Sequence, residues 1–228
     1  MKNCFLFSLL FIMGMLFSNC SQMEDTFREP SDLDAGSIRP KSMVFELQPA
    51  NNPYDIRVFS LAGPQWGGNG TNTFFGIAGA TWGGTPGKMR GLIKFDLSRL
   101  YPTDKIKEAK LYMYSYYSPL PNMFSPSNQG SNNKFFIQRI IQPWSPDVDW
   151  NNQPATTTAL QATVPHTSQQ NLDIVADVTS IVKQMVENSQ NYGFMLKLEN
   201  ETPYTVRQFY SSFYTDPTKR PKLVIILE

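Results

Sequence analysis

From Arg90 to Tyr116 the side chains alternate between apolar and polar, and this period of two restricts the chain to extended, paired structure. In Arg90-Gly91-Leu92-Ile93-Lys94-Phe95-Asp96-Leu97 it puts Gly91, Ile93, Phe95 and Leu97 on one face and Arg90, Leu92, Lys94 and Asp96 on the other. That is the pattern of a half-buried strand. Pro102, Thr103 and Asp104 turn the chain into Ile106 to Tyr116, where Ala109, Leu111 and Met113 face a core and Lys110, Tyr112, Tyr114 and Tyr116 face away.

Shorter β-prone runs flank this pair: Met43 to Leu47, Asp55 to Leu61, Phe74 to Ile77, Phe135 to Ile141, Tyr192 to Leu198, Arg207 to Ser211 and Lys222 to Leu227. Turn formers such as Pro49, Asn51, Pro53, Gly63 and Pro64 separate the first of them. Gly67, Gly68, Gly70, Gly83 and Gly84 have no phosphate-cradling spacing, and Gly87-Lys88 is followed by Met89 instead of Ser or Thr. They read as turn residues that permit positive φ. One segment has helical period: Val178 to Asn188, with Ile181, Val182, Met185 and Val186 as its apolar stripe and Asp177 or Thr179 as its cap. Many strands, one short helix and no dividing linker predict a single all-β domain over residues 43 to 228, an antiparallel β-sandwich of two layers.

The N-terminal region has a different character. Both cysteines, Cys4 and Cys20, lie in the first 20 residues, so the domain has no disulfide framework. Lys2, the apolar run Phe5 to Phe17 and the closing Ser18-Asn19-Cys20 read as a lipoprotein signal over residues 1 to 19, with Cys20 as the lipidated residue. The run is too short to span a bilayer comfortably. Ser21-Gln22-Met23-Glu24-Asp25 resembles an acidic export tag, which places the expected product on the outer membrane, lipid-anchored and facing the exterior; the alternative is an acidic, solvated tether facing the periplasm. Residues 20 to 42 mix acids, Pro30, Gly36 and Pro40 with few large apolar side chains, the composition of a flexible tether.

Charge and histidine content exclude several functions. With 20 Lys plus Arg against 19 Asp plus Glu, the net charge of +1 gives no basis for gripping a nucleic-acid backbone. His166 is the only histidine, so zinc sites built from several histidines are ruled out and little material is left for a serine or cysteine triad. Asp147 and Asp149, near Asn151 and Asn152, admit a carboxylate pair for glycoside hydrolysis, an oxygen-rich calcium loop, or a turn held by side-chain-to-backbone hydrogen bonds. No other cofactor is expected.

An ordered set of motifs runs through the domain. The strand Arg90 to Leu97 is followed by Ile106 to Met113, then by Arg139 to Trp144 and Val148-Asp149-Trp150-Asn151-Asn152-Gln153-Pro154. Asp177-Val178-Thr179, Asn191-Tyr192-Gly193-Phe194, Tyr210-Ser211-Ser212 and Arg220-Pro221-Lys222-Leu223 complete it. This order resembles the DNRLRE-domain family, which is related to surface carbohydrate-binding modules and disaggregatase-type repeats. Two positions depart from it: Asp149 replaces a usual threonine and Met185 a common tryptophan. The resemblance covers about residues 44 to 227 and implies a jelly-roll sandwich that binds a glycan or surface polymer without turnover.

Two surfaces offer what a polysaccharide requires, a flat apolar face and polar or charged partners. The first carries Arg90 and Lys94, the positions the resemblance supports best. Arg139, Lys197 and Arg207 would join them if their strands share the sheet, and such a group suits uronic-acid carboxylates. The alternative is a scatter of solvent-facing cations. The second is the row Tyr112, Tyr114, Tyr116, with neighbours about 7 Å apart, either a stacking strip or part of a packed layer. Trp66 and Trp82 lie in Gly-rich loops as candidate platforms, whereas Trp144 and Trp150 read as packing residues. The rival reading is a structural or adhesive surface protein that contacts other proteins, with the aromatic row as its interface.

Overall fold

The computed structural model describes residues 42–61, 73–117 and 126–228. The segment expected to be a lipoprotein signal, Cys20, most of the expected tether and Trp66 lie outside the described residues. The strands are β1 (Val44–Leu47), β2 (Asp55–Phe59), β3 (Phe74–Trp82), β4 (Thr85–Ile93), β5 (Ile106–Met113), β6 (Asn128–Gln129), β7 (Phe135–Ile140), β8 (Thr156–Val164) and β9 (Ile174–Asp177). The helix α1 (Thr179–Glu187), β10 (Phe194–Leu198), β11 (Thr205–Tyr210) and β12 (Lys222–Leu227) follow.

All strand pairs are antiparallel, in two sheets. The smaller has the order β1-β12-β5-β9; the larger runs β6-β11-β3-β4-β10-β7-β8, with β2 pairing β4 off that path. The expected β-sandwich with one short helix is the observed architecture. Ala109, Leu111, Met113, Leu223 and Ile225 of the smaller sheet share one buried cluster with Phe75, Ile77, Phe135, Ile137, Phe194, Leu196 and Phe209 of the larger. Each large side chain so buried contributes about 1.5–3 kcal/mol relative to exposure.

Beyond β5 the chain changes sheets. Ser115 bridges to Phe209, the Tyr210 N–H donates to the Tyr114 carbonyl at 2.8 Å and the Tyr116 N–H to the Gln208 carbonyl at 3.1 Å. A strand that begins in the smaller sheet therefore ends against β11 of the larger one, which makes a corner and carries Tyr116 away from Tyr112.

The hairpin β3–β4 turns through Gly83 (φ 55°) and Gly84 (φ 83°) between the paired Trp82 and Thr85. A two-residue loop with both φ values positive matches the right-handed twist of its strands, and glycine adopts it without a Cβ clash. The helix has the anticipated buried stripe of Ile181, Val182, Met185 and Val186. Its cap residue is Val178, between the two residues expected; Asp177 instead accepts the Thr179 N–H at 2.9 Å and hydroxyl at 2.6 Å. The Thr179 hydroxyl in turn accepts the Ala109 N–H at 2.9 Å, tying the helix to β5.

Several features correct the sequence reading, beginning with the strand expected over Arg90 to Leu97, which ends at Ile93 and leaves Lys94 beyond it. Leu92, assigned by alternation to a polar face, is fully buried in a second cluster with Ile56, Val58, Ile140, Val148 and Met195, onto which Trp144, Trp150 and Tyr192 pack. The loop after β7 lays its tryptophans over that face, so β4 is covered on both sides there. The strands β6, β8 and β9 were not anticipated: β6 and β9 are short, and β8 is a sheet-edge strand in which Leu160 and Val164 stand among Thr, Ala and Gln, mostly half-buried or exposed, with no apolar period to detect. Among the described residues no helix is long and apolar enough to cross a membrane.

Candidate functional site

Strand register sorts the cations predicted to form a basic face. Leu92 pairs with Met195, and Met195 with Gln138, so Arg90 and Lys197 share the face of the second cluster. Ile93, Phe194 and Arg139 pair in one line on the opposite face, which puts Arg139 on the core side, with its Nε and Nη1 buried and unpartnered. Arg207 pairs with core residue Ile77 and is fully buried. Its Nη1 donates to Asn133 Oδ1 and the Pro165 carbonyl, both at 3.3 Å, its guanidinium lies 5.2 Å from the Phe135 ring centre, and burial lowers its pKa to about 10. Arg139 and Arg207 therefore do not join Arg90, although all three strands belong to the larger sheet.

Arg90 is itself engaged. Its Nε and Nη2 donate to the two Glu201 carboxylate oxygens at 2.7 and 2.9 Å, and its Nη1 donates to Gln153 Oε1 at 3.0 Å. Its guanidinium stacks 4.6 Å from the Trp150 ring centre. The side chains of Arg90 and Glu201 are only 17% and 8% exposed, so charge and hydrogen-bonding capacity are both taken up inside the protein. Lys94 lies close by with Nζ 4.8 Å from the centre of the Tyr54 ring, which meets Trp144 edge-on at 5.2 Å. The Trp144 indole N–H donates to the Tyr192 carbonyl at 2.7 Å, and both Trp144 and Trp150 pack against the second cluster as expected.

The tyrosine row breaks at the sheet corner. Tyr112 pairs with Lys222, whose amine sits 5.2 Å from its ring centre, and Lys219 sits 5.5 Å from Tyr114. Tyr116 joins another group altogether. Trp82 stands at the hairpin tip, 56% exposed. Asp149 Oδ1 accepts the Asn151 and Asn152 N–H groups at 2.7 and 3.0 Å while its own N–H donates to Asn152 Oδ1 at 2.6 Å, closing a local turn. Asp147 is exposed beside it, and among the described residues no group of three or more His, Cys, Asp or Glu converges on a metal position. His166 is exposed in a loop, where its Nδ1 accepts the Asn133 N–H at 3.2 Å.

The most extensive group of partly exposed rings centres on Tyr116. Phe74 and Tyr116 have centroids 4.9 Å apart, Tyr116 and Tyr210 5.1 Å, and Tyr210 and Tyr214 4.1 Å. Arg57 stacks on Phe74 at 4.3 Å. All five side chains are half-buried. Phe74 and Tyr210 are register partners on β3 and β11, Tyr116 arrives from the corner, Arg57 from β2 and Tyr214 from the turn after β11. Among the described residues no carboxylate forms an ion pair with Arg57, whose pKa is lowered by burial and partly restored by Tyr116. Burial likewise raises the Tyr210 phenol, against the opposing hydrogen bond from the Tyr117 N–H.

Asp55 anchors the turn that presents Tyr214. Its Oδ2 accepts the Ser212 N–H at 2.6 Å, while Ser212 Oγ accepts the Asn52 N–H at 3.0 Å and the Ser212 carbonyl the Asn51 N–H at 3.1 Å. The carboxyl is fully buried with Oδ1 unpartnered; burial pushes its pKa up to about 7 against the lowering effect of Ser212. Of this ring cluster only Tyr116 stood among the sequence candidates. The others, with Arg57, come from three separate stretches of chain and share no local pattern that would have marked them.

Residues 68–226 match the family model of carbohydrate-binding module family 96. The chain belongs to that family. No curated protein matches it in sequence. The sequence resemblance and the family match thus meet at the level of a carbohydrate-binding module, a class that works by surface complementarity and is compatible with a noncatalytic role. The matched span of this family-96 module takes in Phe74, Tyr116, Tyr210 and Tyr214 but ends short of β2, which supplies Arg57 and Asp55.

Proposed function

We propose that this family-96 module is a noncatalytic, lipid-anchored protein of the cell exterior that holds an acidic polysaccharide against the ring cluster of Phe74, Tyr116, Tyr210 and Tyr214. The observation that carries this reading is the contrast between Arg57 and Arg90. Arg57 borders half-exposed rings and has no carboxylate partner among the described residues, whereas Arg90 is neutralised by Glu201. The rings offer flat apolar surface to the CH face of a sugar, and the guanidinium offers two parallel donors to a uronic carboxylate. The anchor reading rests on the short apolar run ending at Cys20, and the exterior reading on the acidic residues after it.

Affinity electrophoresis of the full-length chain against neutral and uronic-acid-rich polysaccharides, at low and raised salt, tests the site. The expected result is retardation by the acidic glycan that weakens with salt and is lost in Arg57→Ala and Tyr210→Ala but kept in Lys94→Ala. Retardation by neutral glycans alone would overturn the acidic assignment. Loss in Lys94→Ala with retention in Arg57→Ala would return the site to the face first read from sequence. No retardation by any glycan would favour the adhesive reading. Cys20→Ala should abolish acyl labelling, and protease treatment of intact cells should remove the wild-type domain.

A further inference from the structure

At the end of the sandwich where α1 stops, a recess of about 330 Å³ opens between the helix and the segment that follows β4. That is the lower end of the range of small-molecule pockets, roughly 300–1,000 Å³, and suits one or two sugar rings better than a polymer strand. Leu97, Met185 and Val186 supply its apolar wall, and Asp96, Ser189 and Asn191 its polar groups.

Those polar groups are held in place. Asp96 Oδ1 accepts the Ser98 N–H at 2.9 Å, which fixes the carboxylate and leaves Oδ2 with further capacity as an acceptor. The Asn191 amide donates to the Phe95 carbonyl at 2.7 Å, which orients its oxygen. Ser189 occupies the left-handed position that ends the helix, at φ 52°. The Gln190 N–H donates to the Met185 carbonyl at 2.9 Å and the Ser189 N–H to that of Val186 at 3.0 Å. Glycine is the usual residue in this arrangement, because a Cβ is strained there. A serine at that position adds a hydroxyl to the wall of the recess at the expense of an unstrained helix end. The lining carries one cation, Lys94, and one anion, Asp96, so the recess has no net charge with which to select a charged ligand.

We infer that this recess is a second saccharide site, one that takes a neutral sugar unit, with its CH groups on the apolar wall and its hydroxyls on Asp96, Ser189 and Asn191. The inference rests on the carbohydrate reading of the module but not on the ring cluster, which shares no residue with the recess. A module with both sites would hold a polymer along the rings and a neutral residue, such as a chain end or side branch, at the helix end.

Methyl NMR of the full-length chain, titrated with glucose, galactose, mannose, N-acetylglucosamine and their disaccharides, decides the matter. The Met185 methyl signal should shift saturably with at least one of these sugars. Asp96→Ala should weaken that binding about tenfold, the usual loss for a hydrogen bond to a charged group. Ser189→Gly should raise Tm while weakening binding, a combination that a purely structural role does not produce. Tyr210→Ala should leave the Met185 shift intact while removing polysaccharide retardation. The proposal fails if no sugar moves Met185, if Asp96→Ala leaves the affinity unchanged, or if Tyr210→Ala abolishes both responses.

Discussion

Arg90 and Arg57 each stack on an aromatic ring of the larger sheet's surroundings, and they differ in how far the protein itself engages the guanidinium. Arg90 stacks on Trp150 and is closed off by a two-pronged contact to Glu201, 111 residues away in sequence. Arg57 stacks on Phe74 at a similar distance but has rings around it and no ion-paired acid among the described residues. Cation and aromatic ring together thus do not mark a ligand site. What matters is whether the protein already supplies the counter-charge, since an engaged guanidinium must break internal hydrogen bonds before it can accept a new partner.

The largest effect that separates the two assemblies is on stability. Glu201→Ala leaves the Arg90 guanidinium poorly solvated and unpaired and should cost about 3 kcal/mol in urea unfolding, at the low end for a broken buried pair because Arg90 is partly exposed. Arg57→Ala should cost much less. Equal losses would remove the distinction between a closed and an open assembly.

Next comes affinity. Tyr210→Ala or Arg57→Ala should weaken glycan binding by at least about tenfold, roughly 1.4 kcal/mol. Arg57→Lys should recover only part of it, because an ammonium cannot bridge a carboxylate with two parallel bonds. Isothermal titration with the retarding polysaccharide reads both.

A smaller effect concerns pH. The Asp55 carboxyl titrates near 7 in the fold and near its ordinary 3.8 when unfolded, so between these values the folded protein retains a proton that the unfolded chain has released. Its contribution to stability is present in full below the unfolded value and is lost as pH rises through the folded one. The Tm should fall from about pH 4 to 7 in the wild type and level off above that, and Asp55→Asn should flatten that slope. Asp177 and Asp216, held below their usual range chiefly by Thr179 and Thr218, act in the opposite sense and only at lower pH, losing stability as pH falls. A rising Tm across the neutral range in the wild type would contradict the assignment to Asp55. The smallest expected change is at the other end of the broken tyrosine row, where Tyr112→Ala should alter glycan affinity by less than about twofold, as measured in the same titration.

Legibility followed the range of the interactions. The helix stripe at Ile181, Val182, Met185 and Val186 was plain because its period lies within a few turns of one segment. The hairpin glycines Gly83 and Gly84 were plain because positive φ is a property of single residues. Leu92 was misassigned because the loop that covers it, with Trp144 and Trp150, comes some 50 to 60 residues later in the chain. Edge strand β8 left no trace in apolar period, since most of its residues are half-buried or exposed and no face of it has to be apolar.

By itself the sequence determined an all-β domain with one helix, the core-facing residues of β5 and of the helix, and a set of motifs in the order of a glycan-binding module. Tertiary structure alone decided that Arg139 and Arg207 face the core, that Glu201 closes Arg90, and that the chain turns a corner after Met113 to bring Tyr116 beside Phe74, Tyr210 and Tyr214. The reason is physical: alternation along a strand fixes which side chains share a face, but the neighbour of that face is chosen by pairing and packing between segments distant in sequence.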